Sequence, residues 1–174
     1  PLGHFFPFED KQNIGIINQE VAKAAKSLGL SSCAFNADVL LSDNNAYIIE
    51  MGGRTGATCI PELISIHKGY NWYEKIIRSA LGERVEFDSS QRTPCMAKLL
   101  ASDVTATVTS VDKRRLQSLQ SKTTSVSLDV KPGDVIQKMR NGTDRYGQVV
   151  MQDCTAKELD AVIKQAESCL ALTF

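Results

Sequence analysis

The sequence predicts an α+β fold, and three observations predict it. Residues 10–28 carry apolar positions at spacings of three and four, the period of a helix. Residues 35–51 hold two apolar, largely β-branched or bulky runs on either side of a polar turn. Residues 94–151 hold several β-branched runs, and a helix-capping signature follows them. The 174-residue length allows one domain or two small ones. With 23% charged and 43% hydrophobic residues, the composition is that of an ordinary soluble globular protein. The formal net charge is zero, so bulk electrostatics suggest neither a nucleic-acid partner nor an anionic membrane surface. No apolar run approaches the roughly eighteen residues that a membrane helix needs.

Taken in order, residues 1–9 are rich in aromatics and proline and read as an extended lead-in. In the helix over 10–28, the apolar positions are Ile14, Ile17, Val21, Ala24, Ala25 and Leu28. Asp10 is its expected N-cap, and Gly29 signals its end. The hairpin of residues 35–51 turns at Ser42, Asp43, Asn44 and Asn45. Gly52, Gly53 and Gly56 let backbone approach a ligand closely and free amide groups for an anion. Pro61 suits the first turn of a helix. A second helix covers 72–81, and Gly82 stops it. Residues 83–93 are polar and read as a linker, which divides the chain into 1–83 and 84–174. The second part is expected to hold one or two strands over 94–111, a short helix or edge segment from Asp112, and a strand over 123–130. A hairpin signal follows at Asn141-Gly142, then a strand over 146–151. The last helix is expected over 156–171, with Thr155 and Glu158 as a capping box.

The hairpin carries the chemistry. If the pairing is symmetric about Asn44, Asp38 faces Glu50 and Asn36 faces Gly52. Side chains so opposed have Cβ atoms roughly 4.5–5.5 Å apart. Two carboxylates that close repel, and a hard divalent cation removes the conflict while keeping positions open for phosphates. Leu40 and Ile48 are expected beside the acids as an apolar floor. Arg54, with a guanidinium fork suited to phosphate or carboxylate, follows the double glycine. The plainer reading is a hairpin with acids on its wet face. The five cysteines are far apart and read as free thiols in a reducing compartment. Two histidines, His4 and His67, are too few for a zinc site.

Asp38, the twelve-residue step to Glu50, and the run Ile49-Glu50-Met51-Gly52-Gly53-Arg54 resemble the metal-binding end of the ATP-grasp superfamily. The resemblance is nearest to its biotin carboxylase, carbamoyl-phosphate synthase and L-amino-acid ligase branches. It implies the C-terminal lobe of an ATP-grasp domain, with an antiparallel sheet and packed helices, followed by a small mixed β/α subdomain. It implies ATP as cofactor and Mg²⁺, or Mn²⁺ in its place, held by Asp38 and Glu50. Leu40 matches the apolar residue against adenine, and Arg54 the arginine on the phosphate or acyl phosphate. The family usually has asparagine where this chain has Gly52; Asn36, on the facing strand, is the expected substitute ligand. In related enzymes residues 1–9 correspond to a strand and loop near the active site, which singles out His4.

On this resemblance the chain is a fragment of an ATP- and Mg²⁺-dependent carboxylate–amine ligase working through an acyl phosphate, amino-acid-ligase-like. The alternative is carbamoyl-phosphate-synthase-like or biotin-carboxylase-like chemistry. The expected partners are the N-terminal portion of the same ligase or a complementary subunit, small carboxylate and amine substrates, and a second copy in a homodimer. The expected location is cytoplasmic, and the 174 residues alone are expected to be inactive. Two other readings stand beside this one. A noncatalytic α+β interaction module would leave Asp38 and Glu50 apart or with nothing converging on them. A metal-dependent hydrolase would need a third acid or a histidine at the pair.

Overall fold

The computed structural model describes residues 2–8 and 10–173. Pro1 and Glu9, in the expected lead-in, lie outside the described residues. The fold is α+β. Its strands are β1 (Gly3–Phe6), β2 (Asn36–Ser42), β3 (Asn45–Gly52), β4 (Cys95–Leu100), β5 (Ala106–Val111), β6 (Thr124–Leu128), β7 (Val135–Ile136), β8 (Gly147–Gln152) and β9 (Leu170–Thr173). Its helices are α1 (Lys11–Ser27), α2 (Ile60–Lys68), α3 (Trp72–Ala80), α4 (Lys113–Ser118) and α5 (Ala156–Glu167).

A four-stranded antiparallel sheet, in the order β1-β4-β8-β6, forms the centre. Both of its faces are covered, which is why β8 reads Val149-Val150-Met151 with no polar alternation. On one face Cys95, Ala97 and Val150 pack against Cys59 and Leu63 at the start of α2. On the other, Leu100, Val149 and Met151 pack against Leu159, Ile163 and Ala166 of α5. A second sheet, β7-β5-β9, adds Val108 and Ile136 to that core. Leu63 is only 1% exposed; burying such a side chain contributes roughly 1.5–3 kcal/mol. The third sheet is the β2–β3 hairpin, and α1 packs against it.

The caps follow the sequence. Asp10 accepts from the Asn13 amide at the head of α1, and Gly29 takes a left-handed φ of 67° just beyond its end. Thr155 and Glu158 form the reciprocal capping box of α5. Four details differ from expectation. The lead-in is a paired strand, β1, so both halves of the chain share the central sheet. The polar stretch 83–93 has no regular structure, yet Ser89 and Gln91 donate from their side chains to carbonyls of α2, at Lys68 and Ile66. Asn141-Gly142 makes no two-residue hairpin: Asn141 is extended and caps a 3₁₀ turn over Gly142–Asp144. Finally, α5 stops at Glu167, and Leu170–Thr173 form β9 against β5.

Candidate functional site

The hairpin reaches the expected acid pairing by an unexpected route. Asp43 and Asn44 both take left-handed φ values, 50° and 58°, and make a two-residue turn closed by Ser42 and Asn45. Asp and Asn tolerate that region better than other side chains, and such a turn matches the strand twist. It pairs Leu41 with Ala46, Leu40 with Tyr47 and Val39 with Ile48. The register then shifts between Asp38 and Val39, and Ile49 is the extra residue of the bulge. Beyond it Asp38 faces Glu50, Ala37 faces Met51 and Asn36 faces Gly52. The pairings of Asp38 and Asn36 are those expected from symmetry about Asn44. The floor is not: Tyr47, not Ile48, lies across from Leu40, because the shorter turn moves that half of the hairpin by one residue. Leu40 and Tyr47 are 54% and 51% exposed.

Asp38 and Glu50 are both solvent-exposed. The Asn36 side-chain amide donates to the Asp38 carboxylate (Nδ2 to Oδ1, 3.2 Å). The Asn36 oxygen faces the loop after β3, 2.8 Å from where a Cβ on Gly56 would stand. A side chain at position 56 would therefore collide with Asn36, and glycine there keeps the loop against the acid strand. Arg54 folds back beside Gly52 and donates from Nη1 to the Thr55 carbonyl at 2.9 Å. Among the described ion pairs, none includes Arg54. His4, on β1, has its pKa lowered by burial, while the nearby Asp38 carboxylate acts in the opposite sense.

The loop from Arg54 into α2 is held on its far side. Thr58 and Cys59 take left-handed φ values of 58° and 65°, an uncommon conformation for residues with side chains. Trp72 donates from its indole nitrogen to the Thr55 hydroxyl at 2.8 Å, tying the loop to the start of α3. Glu62, in the first turn of α2, accepts from the Tyr73 hydroxyl at 2.7 Å. Burial, and then that hydrogen bond, push the Tyr73 pKa up to about 12. The other Glu62 oxygen, Oε2, is buried with no partner among the described atoms. No local pattern marks the Thr55–Trp72 bond, because its partners are seventeen residues apart. Among the described residues no group of three or more His, Cys, Asp or Glu side chains comes together as a metal cluster.

The family model for the L-amino acid ligase C-terminal domain 2 matches residues 98–173. The chain is similar over 100% of its length to phosphoribosylglycinamide synthetase from Anaerococcus prevotii, at 27% identity and a TM-score of 0.84. It is similar over 99% of its length to L-amino acid ligase from Bacillus licheniformis, at 15% identity and a TM-score of 0.75. Biotin carboxylase from Campylobacter jejuni, solved as a complex with β,γ-ATP, matches 99% of the chain at 16% identity and a TM-score of 0.69. The chain spans 45%, 44% and 39% of these three proteins' own lengths, respectively. Among curated proteins, none matches the chain. Over residues 98–173 the chain matches the L-amino acid ligase C-terminal domain 2 family, and over nearly its whole length it has the α+β fold of an ATP-grasp C-terminal lobe with a small β/α subdomain attached.

Proposed function

We propose that this chain is part of an ATP- and Mg²⁺-dependent ligase that joins a carboxylate to an amine through an acyl phosphate, in the manner of an amino-acid ligase. The observation that carries the proposal is the direct pairing of Asp38 with Glu50 across β2 and β3. The donor set fits a hard divalent ion: two facing carboxylates, both oxygen donors, on a solvent-facing side of the hairpin. Asp38 and Glu50 would hold the metal; Asn36, whose amide nitrogen is turned to Asp38 and whose oxygen faces Gly56, would add a third oxygen only with its amide turned over. Bound there, Mg²⁺, or Mn²⁺ in its place, would neutralise charge on the transferring phosphoryl oxygens.

The chain's own residues would do the rest. Leu40 offers an exposed apolar surface for the adenine ring. Arg54, free of any described acidic partner, would stabilise the carbonyl-phosphate end of the acid as charge develops there. The matched span of the L-amino acid ligase family model supports reading 84–174 as the subdomain and 1–83 as the lobe. It also favours an amino-acid-ligase substrate over carbamoyl-phosphate-synthase-like or carboxylase chemistry. The remaining contacts to ATP, and the acceptor site, would come from a portion corresponding to the part of the longer relatives that these 174 residues do not span, or from a complementary subunit. A cytoplasmic location belongs to the same proposal; the free cysteines fit a reducing compartment.

The test is Mg²⁺-dependent ATP hydrolysis by the intact protein over a panel of carboxylates and amines. Turnover should need one of each, and Asp38→Asn or Glu50→Gln should lower it by about a hundredfold or more, as expected when the stabilisation of transferring charge is lost. Full turnover in both variants would overturn the proposal.

A further inference from the structure

A cavity of about 390 Å³ lies between the segment ahead of β2, the head of α3 and the irregular stretch that follows α3. That is within the size range of small-molecule sites, roughly 300–1,000 Å³. Four aromatic side chains from three separate segments line it: Phe35, Tyr70, Trp72 and Phe87. The Phe87 ring stands 5.6 Å from that of Trp72, tilted, and 6.4 Å from that of Tyr70, edge to face. Residues outside the described lining hold these walls. The Thr55 hydroxyl takes the indole N–H of Trp72. Lys75 donates to the Glu86 carbonyl, and its ammonium rests 4.7 Å from the Tyr70 ring and 5.7 Å from the Phe87 ring. The stretch that carries Phe87 is thereby kept against α3. The polar content of the cavity is small and neutral. Ser32, Tyr70 and Ser79 bring hydroxyls, and among the described side-chain hydrogen bonds none involves them. No charged side chain stands among the described lining residues.

We infer that this cavity is a binding site for an uncharged aromatic molecule that carries a hydroxyl. Four rings offer faces and edges to a fifth, and offset or edge-to-face contacts add to the gain from burial alone. A charged ligand would leave water for a cavity without a countercharge, which is costly. The three free hydroxyls give up water when the cavity fills, and a ligand hydroxyl restores part of that bonding. Neither Asp38, Glu50, Leu40 nor Arg54 is among the lining residues, so the inference stands apart from the ligase reading.

The chain carries its own reporters. Trp72 is its one tryptophan, so its indole N–H gives a single nitrogen–proton resonance. Cys33 also lines the cavity and is exposed, whereas Cys59, Cys95 and Cys169 are buried. The experiment titrates the intact protein at neutral pH with p-cresol, toluene, 4-methylcyclohexanol and 4-methylbenzoate, with neither nucleotide nor metal present. It follows the Trp72 indole resonance by NMR and the rate of Cys33 alkylation by iodoacetamide. p-Cresol is expected to shift the resonance saturably and to slow alkylation. 4-Methylcyclohexanol, which keeps the hydroxyl and loses the ring, should bind about twofold to tenfold more weakly, the worth of an aromatic pair. Toluene should lose a similar factor with the hydroxyl. 4-Methylbenzoate should bind about tenfold or more weakly than p-cresol, because its charge meets no partner. Tyr70→Phe with Ser79→Ala should erase the preference for p-cresol over toluene. Phe87→Ala, in a stretch without regular structure, should weaken p-cresol about tenfold. Ser79→Leu, which fills the cavity, should abolish binding with the circular dichroism spectrum unchanged. Silence of both reporters toward p-cresol would overturn the inference. So would equal or tighter binding of 4-methylcyclohexanol or 4-methylbenzoate, or p-cresol binding that survives Ser79→Leu. Because no nucleotide or metal is present, failure of the acid pair to hold Mg²⁺ would leave this result untouched.

Discussion

The side chain of Arg54 runs beside the bare α-carbon of Gly52, with Cγ 3.7 Å and Nε 3.9 Å from the point where a Cβ would stand. Gly52 faces Asn36 across the hairpin, two residues along from the Asp38–Glu50 pair on each strand, so this Cβ would point to the acid-bearing side. The arginine stem thus occupies the side of position 52 where the resemblance expects an asparagine. The departure from that pattern leaves room for the arginine stem at the edge of the acid face.

Replacing Gly52 with asparagine should be tolerated, because both contacts are at ordinary van der Waals distance. The new amide would add an oxygen beside two carboxylates. Mn²⁺ affinity, followed by electron paramagnetic resonance, should rise about threefold to tenfold, the gain of roughly one modest polar interaction. Unchanged or weaker Mn²⁺ binding with the fold intact by circular dichroism would count against a metal at this pair.

Asp38→Asn and Glu50→Gln should act in opposite directions with and without metal. Like charges directly opposed on a sheet destabilise it, so neutralising either one should hold or raise Tm in metal-free buffer. In the unaltered protein, Mg²⁺ at about ten times its Kd should add about 1.4 kcal/mol of stability. Both variants should lose most of that increment. Differential scanning fluorimetry with and without Mg²⁺ separates the two effects. A Mg²⁺-dependent rise that survives the double substitution would place the ion elsewhere.

Much of this site was legible in the sequence, and the reason is compensation. Symmetry about Asn44 predicts the acid pairing; the structure instead turns at Asp43 and Asn44 and then restores the register with one extra residue, Ile49. Only the segment between turn and bulge is displaced, so Asp38 and Glu50 were placed correctly and Ile48 was not. Elsewhere tertiary context overrode local signals. Leu170 fits the apolar period of α5, yet it pairs with Val111 as the first residue of β9. Asn141-Gly142 has the composition of a hairpin turn, but β7 pairs with β5 and not with β8, so no hairpin needs closing there. The strand character of Gly3–Phe6 depends on a partner, β4, some ninety residues away, which no local pattern can show.

The bond from Trp72 to Thr55 should be measurable as a coupling energy. Thr55→Val removes the acceptor at similar volume, and Trp72→Phe removes the donor. Each should cost about 1–2 kcal/mol by urea denaturation, and the double variant should fall short of the sum by about 1 kcal/mol, the net worth of one such bond. Strict additivity would show that the two side chains do not act together. It would also remove the reason to treat α3 as the anchor of the loop that carries Arg54.

Cys59 and Cys95 should make the fold sensitive to alkali. Both are buried, at 5% and 1% exposure, in the cluster between α2 and the central sheet. Burial raises each thiol from 9.0 to about 11. Between those values the unfolded chain gives up the thiol protons while the folded chain keeps them, so stability falls as pH rises. The contribution is complete below about pH 9 and is gone by about pH 11, and it is worth up to about 2 kcal/mol per thiol. The urea midpoint should therefore drop steeply over that window. A Cys59→Ala, Cys95→Ala double variant should start lower at about pH 8, having lost buried volume, and then fall less steeply. Tyr73 and Tyr146, pushed up to about 12, contribute their own loss only toward the top of this range. A slope between pH 9 and 11 that is the same in both proteins would mean that these thiols ionise without opening the cluster, and that α2 is held to the sheet mainly by other contacts.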